Sequence, residues 1–318
     1  MGVPLGRDSK IVIILTTKFL NLVGQQPKMI GDVLKDFSTI TPNLIVTELG
    51  MAQQPLANRL WILVKHPQFT WWCGHCIVLF CTTIYFWYWI TLSWPEGINY
   101  YYTAYLGAML SYGVVVYKSF GSPQLNWEYF QKINKDENVF YLTLALMWFM
   151  STPVFVTLIP YATFSLFHFI TYLRANILQA FSPAPAHSSS GSSSGTQTRA
   201  NSASKFIQIW VHKNYEPAMN MVSFVEVVVI TLFLLFNIVT LQLRFITLLF
   251  YCFFLRMRYL MNTYTQQVFA AVARFLDERL LPPSASPSIP PPVTKAYQHA
   301  KNAIIWMGRR NSHNSRRG

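Results

Sequence analysis

Few residues in this chain combine the right type with the right spacing to do chemistry. Cys73, His75, Cys76 and Cys81 contain a C-x2-C pair, but no second Cys/His pair follows at zinc-site spacing and the run around them is apolar. Cysteine as a small hydrophobe within a membrane span is the better reading, and Cys252 is isolated, so neither a metal nor a disulfide framework is expected. His168, within FSLFHFITY, has the chemistry to handle a proton; a hydrogen bond across a helix pair is the simpler role for it. Glu226 is the sharpest case. An ionisable group in an apolar run is costly, so a partner is expected, with Arg244 or His168 the candidates. If the run turns near residues 237–241, Glu226 and Arg244 lie at different depths and Arg244 snorkels instead. The expected role is a structural carboxylate holding helices together, with transport the rival. There is no surface cluster of His, Asp or Glu, no phosphate-cradling Gly-rich loop and no nucleophile elbow, so no enzyme and no cofactor is expected.

The elements that carry these residues are set by the bilayer. Charged residues make up 12% of the chain and apolar residues 52%, against about 25% charge in a soluble domain. A span needs about 20 apolar helical residues. Residues 71–94 form one such stretch, aromatic at both ends, and residues 99–117 a shorter one containing Gly107 and Gly113. Two longer blocks follow, 139–173 and 222–255, of 35 and 34 residues. Each is too long for one ordinary crossing. Pro153 and Pro160 interrupt the first, and Asn237, Gln242 and Arg244 the second, where a helical hairpin would turn.

Lysine and arginine bias the sides. Arg59 and Lys65 precede the first span; Lys118, Lys132 and Lys135 follow the second. Arg174, Arg199, Lys205 and Lys213 follow the first block, and a run from Arg256 to Arg317 follows the second. All four polar regions want the cytosol, which requires an even number of passes, or a re-entrant wedge, in each block. Both termini are then cytosolic. Long hairpins with cytosolic ends displace unequal amounts of lipid from the two leaflets and favour curved membrane.

The expected organisation is an N-terminal extension at 1–50, with Met51 an alternative start, and a membrane region at 51–173. A Ser-rich cytosolic loop follows at 174–221, then the second block at 222–255 and a basic C-terminal region at 256–318. Residues 182–204 are low-complexity and read as a flexible spacer, and residues 281–292 as a stiffer Pro-rich linker. Between Arg256 and Leu281, Met257, Leu260, Met261, Tyr264, Val268, Val272, Phe275 and Leu276 share one helical face; Val293, Ala296, Tyr297, Ala300, Ile304 and Met307 repeat the pattern beyond the linker. Such helices suit the interface of an anionic cytosolic leaflet, or pack on the protein's own membrane domain. Arg256, Arg274, Arg279, Lys295, Lys301, Arg309, Arg310, Arg316 and Arg317 are the residues expected to meet anionic lipid or an acidic partner. The formal net charge of +13 is concentrated beside membrane, which argues for lipid or a receptor over nucleic acid.

Inside the first block, Ser151, Thr152, Pro153 and Val154, then Pro160, Phe164, Ser165, His168, Thr171 and Tyr172, form a motif that resembles the centre of the transmembrane protein 33 family, which includes the fungal pore-membrane nucleoporins. Glu226 early in the second block, with Phe254, Leu255, Arg258 and Tyr259 at its exit, agrees. The resemblance implies residence in the endoplasmic reticulum and nuclear envelope. It also implies a part in shaping reticulum alongside reticulon-type proteins, in nuclear pore assembly or distribution, and in contact with an import receptor through the C-terminal helices. It implies no enzymatic activity.

The expected fold is therefore all-α and polytopic: two spans, two long hydrophobic hairpins and C-terminal amphipathic helices. The expected function is non-enzymatic shaping or scaffolding of curved membrane. A small channel or carrier using Glu226 is the alternative, though it would need several intramembrane polar groups along a path, and no inverted repeat is evident.

Overall fold

The computed structural model describes residues 55–181, 194–240, 245–282 and 290–309, and within them the chain is entirely helical. The expected N-terminal extension, Gln242, Arg244 and most of the Pro-rich linker lie outside the described residues. Helix α1 (Leu56–Lys65) leads into α2 (Pro67–Ile90), which starts where His66 accepts the Gln68 amide and proline fills the first helical position. Helix α3 (Ile98–Phe120) ends at Gly121, whose φ of 71° only glycine adopts freely. Next come α4 (Trp127–Ile133), capped by Asn126, and α5 (Glu137–Phe149), capped by Asp136.

The first long block breaks where a hairpin should. Helix α5 ends at Phe149, and a short 3-10 turn (Phe155–Thr157) leads into α6 (Leu158–Tyr172). Pro153 lies in the break. Pro160 does not interrupt anything: it is the third residue of α6, where the amide it lacks would have no helical partner. Rings pair across the break, Tyr141 with Phe164 at 5.1 Å, and Tyr161 Oη donates to the Tyr141 carbonyl at 2.9 Å. Equal distances on either side of residue 152 make the two arms antiparallel.

The second block folds the same way about residue 240. Helix α8 (Ser194–Phe224) runs through a π turn (Val225–Ile230) into α9 (Thr231–Val239), and α10 (Phe245–Met261) returns. Tyr251 Oη on the return arm donates to the Glu226 carbonyl at 2.8 Å. Between the blocks, a π turn (Leu173–Ile177) and α7 (Leu178–Phe181) extend α6. Helix α11 (Thr263–Leu280) and α12 (Pro291–Arg309) complete the described chain.

Three expectations change. The amphipathic segment 256–281 is two helices, because Asn262 leaves the helix and caps α11 by accepting the Tyr264 and Thr265 amides at 3.0 and 3.2 Å. The Ser-rich spacer is helical from Ser194 onward, since extending an existing helix costs far less than starting one. Its first part lies outside the described residues. Helices also run through positions 173/174, 221/222 and 255/256, so changes in polarity are not element ends.

Three helical runs are long and apolar enough to cross a membrane unaided: Pro67–Ile90, Phe155–Ile177 and Ser202–Val239. At 1.5 Å per residue, the 24 residues of α2 reach about 36 Å, against a hydrocarbon core of roughly 30 Å. Helices α3, α5 and α10 run beside them. The packing is inverted relative to a soluble protein: Leu232, Phe236, Val239, Phe245, Ile246 and Leu249 are exposed, whereas Ser223, Glu226, Asn237 and Thr247 are buried. Apolar side chains outward and satisfied polar groups inward is what a lipid solvent selects.

Ring contacts give the ends of the bundle. Phe155 lies 5.2 Å from both Phe86 and Trp89, so the first hairpin turns beside the loop at residues 93–98. Trp72 stacks on Tyr172 at 5.3 Å, so α6 ends where α2 begins. The first hairpin therefore turns at one end, with Lys65, Lys118, Lys135 and Arg174 at the other, and α10, with Tyr251 beside Trp148 and Arg258 beside Glu137, runs from the turn end toward the basic end.

Helices α2 and α3 touch through small residues. A Cβ on Gly74 would strike the Ser111 side chain and the Gly107 carbonyl, and one on Gly107 would meet the Gly74 carbonyl at 2.8 Å. Ser111 Oγ also donates to the Trp71 carbonyl at 2.9 Å. The close-packing face of α3 is thus used by the protein's own helix. Gly74→Leu is expected to eliminate the monodisperse peak in detergent size exclusion, while Gly113→Leu, at a position with open space around it, leaves the peak unchanged.

Candidate functional site

The strongest polar constellation is built around the π turn of the second block. A π turn widens the helix by one residue and leaves carbonyls to be met from outside. Here the Glu226 carbonyl accepts from Tyr251 Oη at 2.8 Å and Thr231 Oγ1 at 3.3 Å. The Glu226 side chain, 1% exposed, points into the bundle. Tyr141 of α5 donates to its Oε1 at 2.5 Å, and Arg258 Nε of α10 to its Oε2 at 3.1 Å. Arg258 Nη1 reaches Oε2 of Glu137, at the start of α5, at 3.2 Å. The guanidinium lies 5.3 Å from the Tyr141 ring centroid. One arginine thus bridges two carboxylates and ties the first arm of one hairpin to both arms of the other.

Apolar rings seal the cluster. Phe254 packs on Tyr141 at 5.5 Å, and Trp148 on Tyr251 at 5.8 Å. Glu226 therefore does have a partner, but it is neither Arg244, which lies outside the described residues, nor His168. The partner is Arg258, 2% exposed, a residue the charge pattern placed among the cytosolic cations. A turn at residue 240 sets residues near 254 opposite Glu226, so counting equal steps from the turn points to the right stretch of α10.

The motif at residues 151–172 docks one helix onto two others. Its front half faces α3: Thr157 Oγ1 donates to the Val154 carbonyl at 2.6 Å and sits 2.7 Å from Tyr105 Oη. Ser151 Oγ donates back to the Met147 carbonyl at 2.7 Å, and Val154, Pro160 and Phe164 are buried. Its back half faces α2, where Ser165 Oγ lies 2.9 Å from His75 Nδ1. The His168 ring centroid lies 4.7 Å from that of His75 and 5.0 Å from Trp71. Tyr172 is buried and Thr171 exposed. In the second block Leu255 is buried, and Tyr259 is exposed with its edge on Phe269 of α11 at 5.5 Å.

Residues that sequence reasoning missed are Tyr141, Tyr251, Thr157, Tyr105, Glu137 and Asn262. The tyrosines carried a signal: in apolar spans, tyrosine in place of phenylalanine marks a hydroxyl with a buried partner. Among the described residues no group of three or more His, Cys, Asp or Glu could hold a metal ion.

The basic C-terminal residues divide. Arg256, Arg274, Arg279 and Lys295 are exposed, with Arg279 over the Phe275 ring at 3.7 Å. Lys301 instead reaches Asp277 Oδ2 at 2.6 Å, and Tyr297 Oη donates to Asp277 Oδ1 at 2.7 Å, so α12 is clasped to α11. Hydrogen bonds from Lys301 and Tyr297 hold the Asp277 carboxyl below its usual range; burial, with the Asp277 bond added, pushes Tyr297 up to about 12. Arg310, Arg316 and Arg317 lie outside the described residues, and Arg309 closes α12.

A helical, polytopic membrane protein with a polar interior spent on joining its own hairpins is the class these observations define. The family model described as Transmembrane protein 33/Nucleoporin POM33 matches residues 52–309, and the chain belongs to that family. It is 32% identical over 263 residues to the Nucleoporin POM33 of Chaetomium thermophilum, covering 79% of this chain and 89% of that one. It is 33% identical over 263 residues to Tetra-spanning protein 1 of Schizosaccharomyces pombe, covering 80% and 89%. The pore and endoplasmic reticulum protein of 33 kDa of Saccharomyces cerevisiae is 25% identical over 266 residues, covering 77% and 91%. No solved structure matches the chain.

Two predictions follow from the two clusters. Arg258→Met leaves the buried Glu226 and the partly exposed Glu137 without their shared cation and is expected to cost about 3–5 kcal/mol, whereas Glu226→Gln leaves Arg258 paired with Glu137 and costs about 1–2 kcal/mol. Thermal melts in detergent should rank them in that order; equal losses would mean that the cluster is not a charge balance. For α12, a depressed carboxyl stabilises the clasp fully above the ordinary aspartate value, about 3.9, and loses that contribution as pH falls through its lower folded value. The distance between spin labels at Glu278 and Asn302 should stay constant from pH 7 to about 4 and lengthen below it, and Asp277→Asn should lengthen it at neutral pH.

Proposed function

We propose that this protein shapes or stabilises curved membrane of the endoplasmic reticulum and nuclear envelope and contributes to the assembly or distribution of nuclear pore complexes, without catalysing a reaction. The observation that carries the reading is the pair of helical hairpins turned at one end of the bundle with the basic residues gathered at the other. The positive-inside bias assigns that basic end to the cytosol, with both termini there. Such a bundle adds more volume to the cytosolic leaflet than to the opposite one. The names of the relatives, a pore-membrane nucleoporin and a pore and endoplasmic reticulum protein, support the residence.

The partners that fit are the lipid of the anionic cytosolic leaflet, met by Arg256, Arg274, Arg279 and Lys295, and nuclear pore components. Reticulon-type proteins and an import receptor complete the set that family membership suggests. A carrier role for Glu226 lacks support, since both carboxylate oxygens are held by Tyr141 and Arg258.

A fluorescently tagged copy at native level is expected at the nuclear rim in puncta and along reticulum tubules; confinement to another membrane would overturn the reading. Purified protein is expected to favour liposomes of small diameter. Equal recovery with small and large vesicles would remove the curvature part and leave the residence intact.

A further inference from the structure

Between α3 and α5 the chain leaves the bundle and makes a short helix whose apolar side is turned away from the protein. Leu125 is 111% exposed, Trp127 69% and Phe130 51%. Trp127 and Phe130 are three residues apart in α4, so they share a face, and their rings stack at 5.6 Å with planes 22° apart. Together with Pro123, Tyr129 and Ile133 they line an open groove of about 460 Å³. Glu128 and Lys132, away from that face of the helix, are exposed as well. In water such a patch would be a liability, and none of the described helices covers it.

The position of α4 says what does. It follows the end of α3 and precedes the charged start of α5, and Tyr129 sits with its ring edge on Phe120 of α3 at 6.5 Å. That places it at the basic end of the bundle, beside the lipid-facing surface. An apolar and aromatic face with acidic and basic side chains away from it is the make-up of a segment lying in the headgroup boundary. Helix α1 supports the same plane at the same end: none of its residues is buried, Trp61 is 61% exposed, and Lys65 Nζ lies 5.0 Å from the Trp61 ring.

We infer that α4, with Leu125 before it, is inserted in the lipid interface of the leaflet at the basic end, where Leu125, Trp127 and Phe130 reach the acyl boundary and Glu128 and Lys132 stay in water. The α3–α5 connection is then a lipid-binding element in its own right and not a solvated loop. It adds apolar volume to one leaflet, which gives the curvature reading a local agent, but the insertion itself rests only on the membrane-spanning bundle.

The test places a photoreactive benzoylphenylalanine singly at Trp127, Glu128, Phe130 or Lys132 of the full-length protein in phosphatidylcholine and phosphatidylserine liposomes. Phospholipid adducts, read by mass spectrometry, are expected at Trp127 and Phe130 about five-fold or more above those at Glu128 and Lys132. Equal adducts at all four sites, no adducts, or cross-links between two copies of the chain at Trp127 and Phe130 would overturn the inference. A Trp127→Ser/Phe130→Ser variant, altered only at exposed positions, should keep its detergent melting temperature and lose protection of Glu128 and its neighbours from amide hydrogen exchange in liposomes. Unchanged protection would also overturn it. Neither readout depends on vesicle diameter, so the insertion and the curvature reading fail separately.

Discussion

Arg258 is the residue on which the arrangement of the hairpins rests. In hydrocarbon a lone guanidinium or carboxylate is several kcal/mol too expensive, roughly 2.5–3.5 kcal/mol even on the lenient insertion scales, so neither can be placed without the other. Arg258 reaches Glu226 on the outgoing arm of its own hairpin and Glu137 on the first arm of the other. These contacts set two registers at once. Sliding α10 by one turn against α9, or α5 by one turn against α10, would strand a charge. Apolar contacts alone tolerate such slips because lipid tails solvate leucine as well as another helix does. The cluster supplies the specificity that hydrophobic packing cannot supply in a bilayer.

The tyrosines extend the same logic through the bundle. Tyr141 serves three neighbours: its hydroxyl donates to Glu226, its carbonyl accepts from Tyr161, and its ring packs on Tyr112 at 5.6 Å. Tyr105 meets Thr157 at the turn of the first hairpin, and Tyr251 meets the carbonyl loosened by the π turn. Each ring contributes apolar bulk along its length and one polar atom at its tip, where a backbone irregularity needs satisfying. Irregular backbone at membrane depth is tolerated only where protein covers it. The turn of the first hairpin and the π turn of the second block are both met in this way.

Much of this was legible in the sequence. Block length against bilayer thickness gave two hairpins, and Pro153 marked the first turn because a missing amide is a local fact. The motif at residues 151–172 was visible as a pattern, and it proves to be a docking surface for α2 and α3. What stayed hidden depends on register or on single-residue breaks. Arg258 read as one more basic residue at a span exit, because its partner is 32 positions away and only the hairpin turn brings them together. The break at Asn262 escaped because the apolar period of the helical wheel continues through it while the backbone does not. Lys301 read as lipid-facing because its partner Asp277 lies on a separate helix beyond the Pro-rich linker.

The distribution of everything outside the bundle bears on the proposed role. At the turn end the described chain offers little beyond residues 93–98 and 150–154 and the last residues of α9. At the basic end are α1, α4, α7, the first half of α8 and the start of α11, held by Asn262 and by Thr265 against Ser223 at 3.4 Å. A bundle whose arms are fixed to one another by a buried charge cluster cannot relax that asymmetry by letting helices slide. On the proposed function, that asymmetry is passed to the bilayer. A structural use of Glu226 fits that role better than a transport one, because a side chain that left Tyr141 and Arg258 to carry an ion would loosen the joint that holds the arms in register.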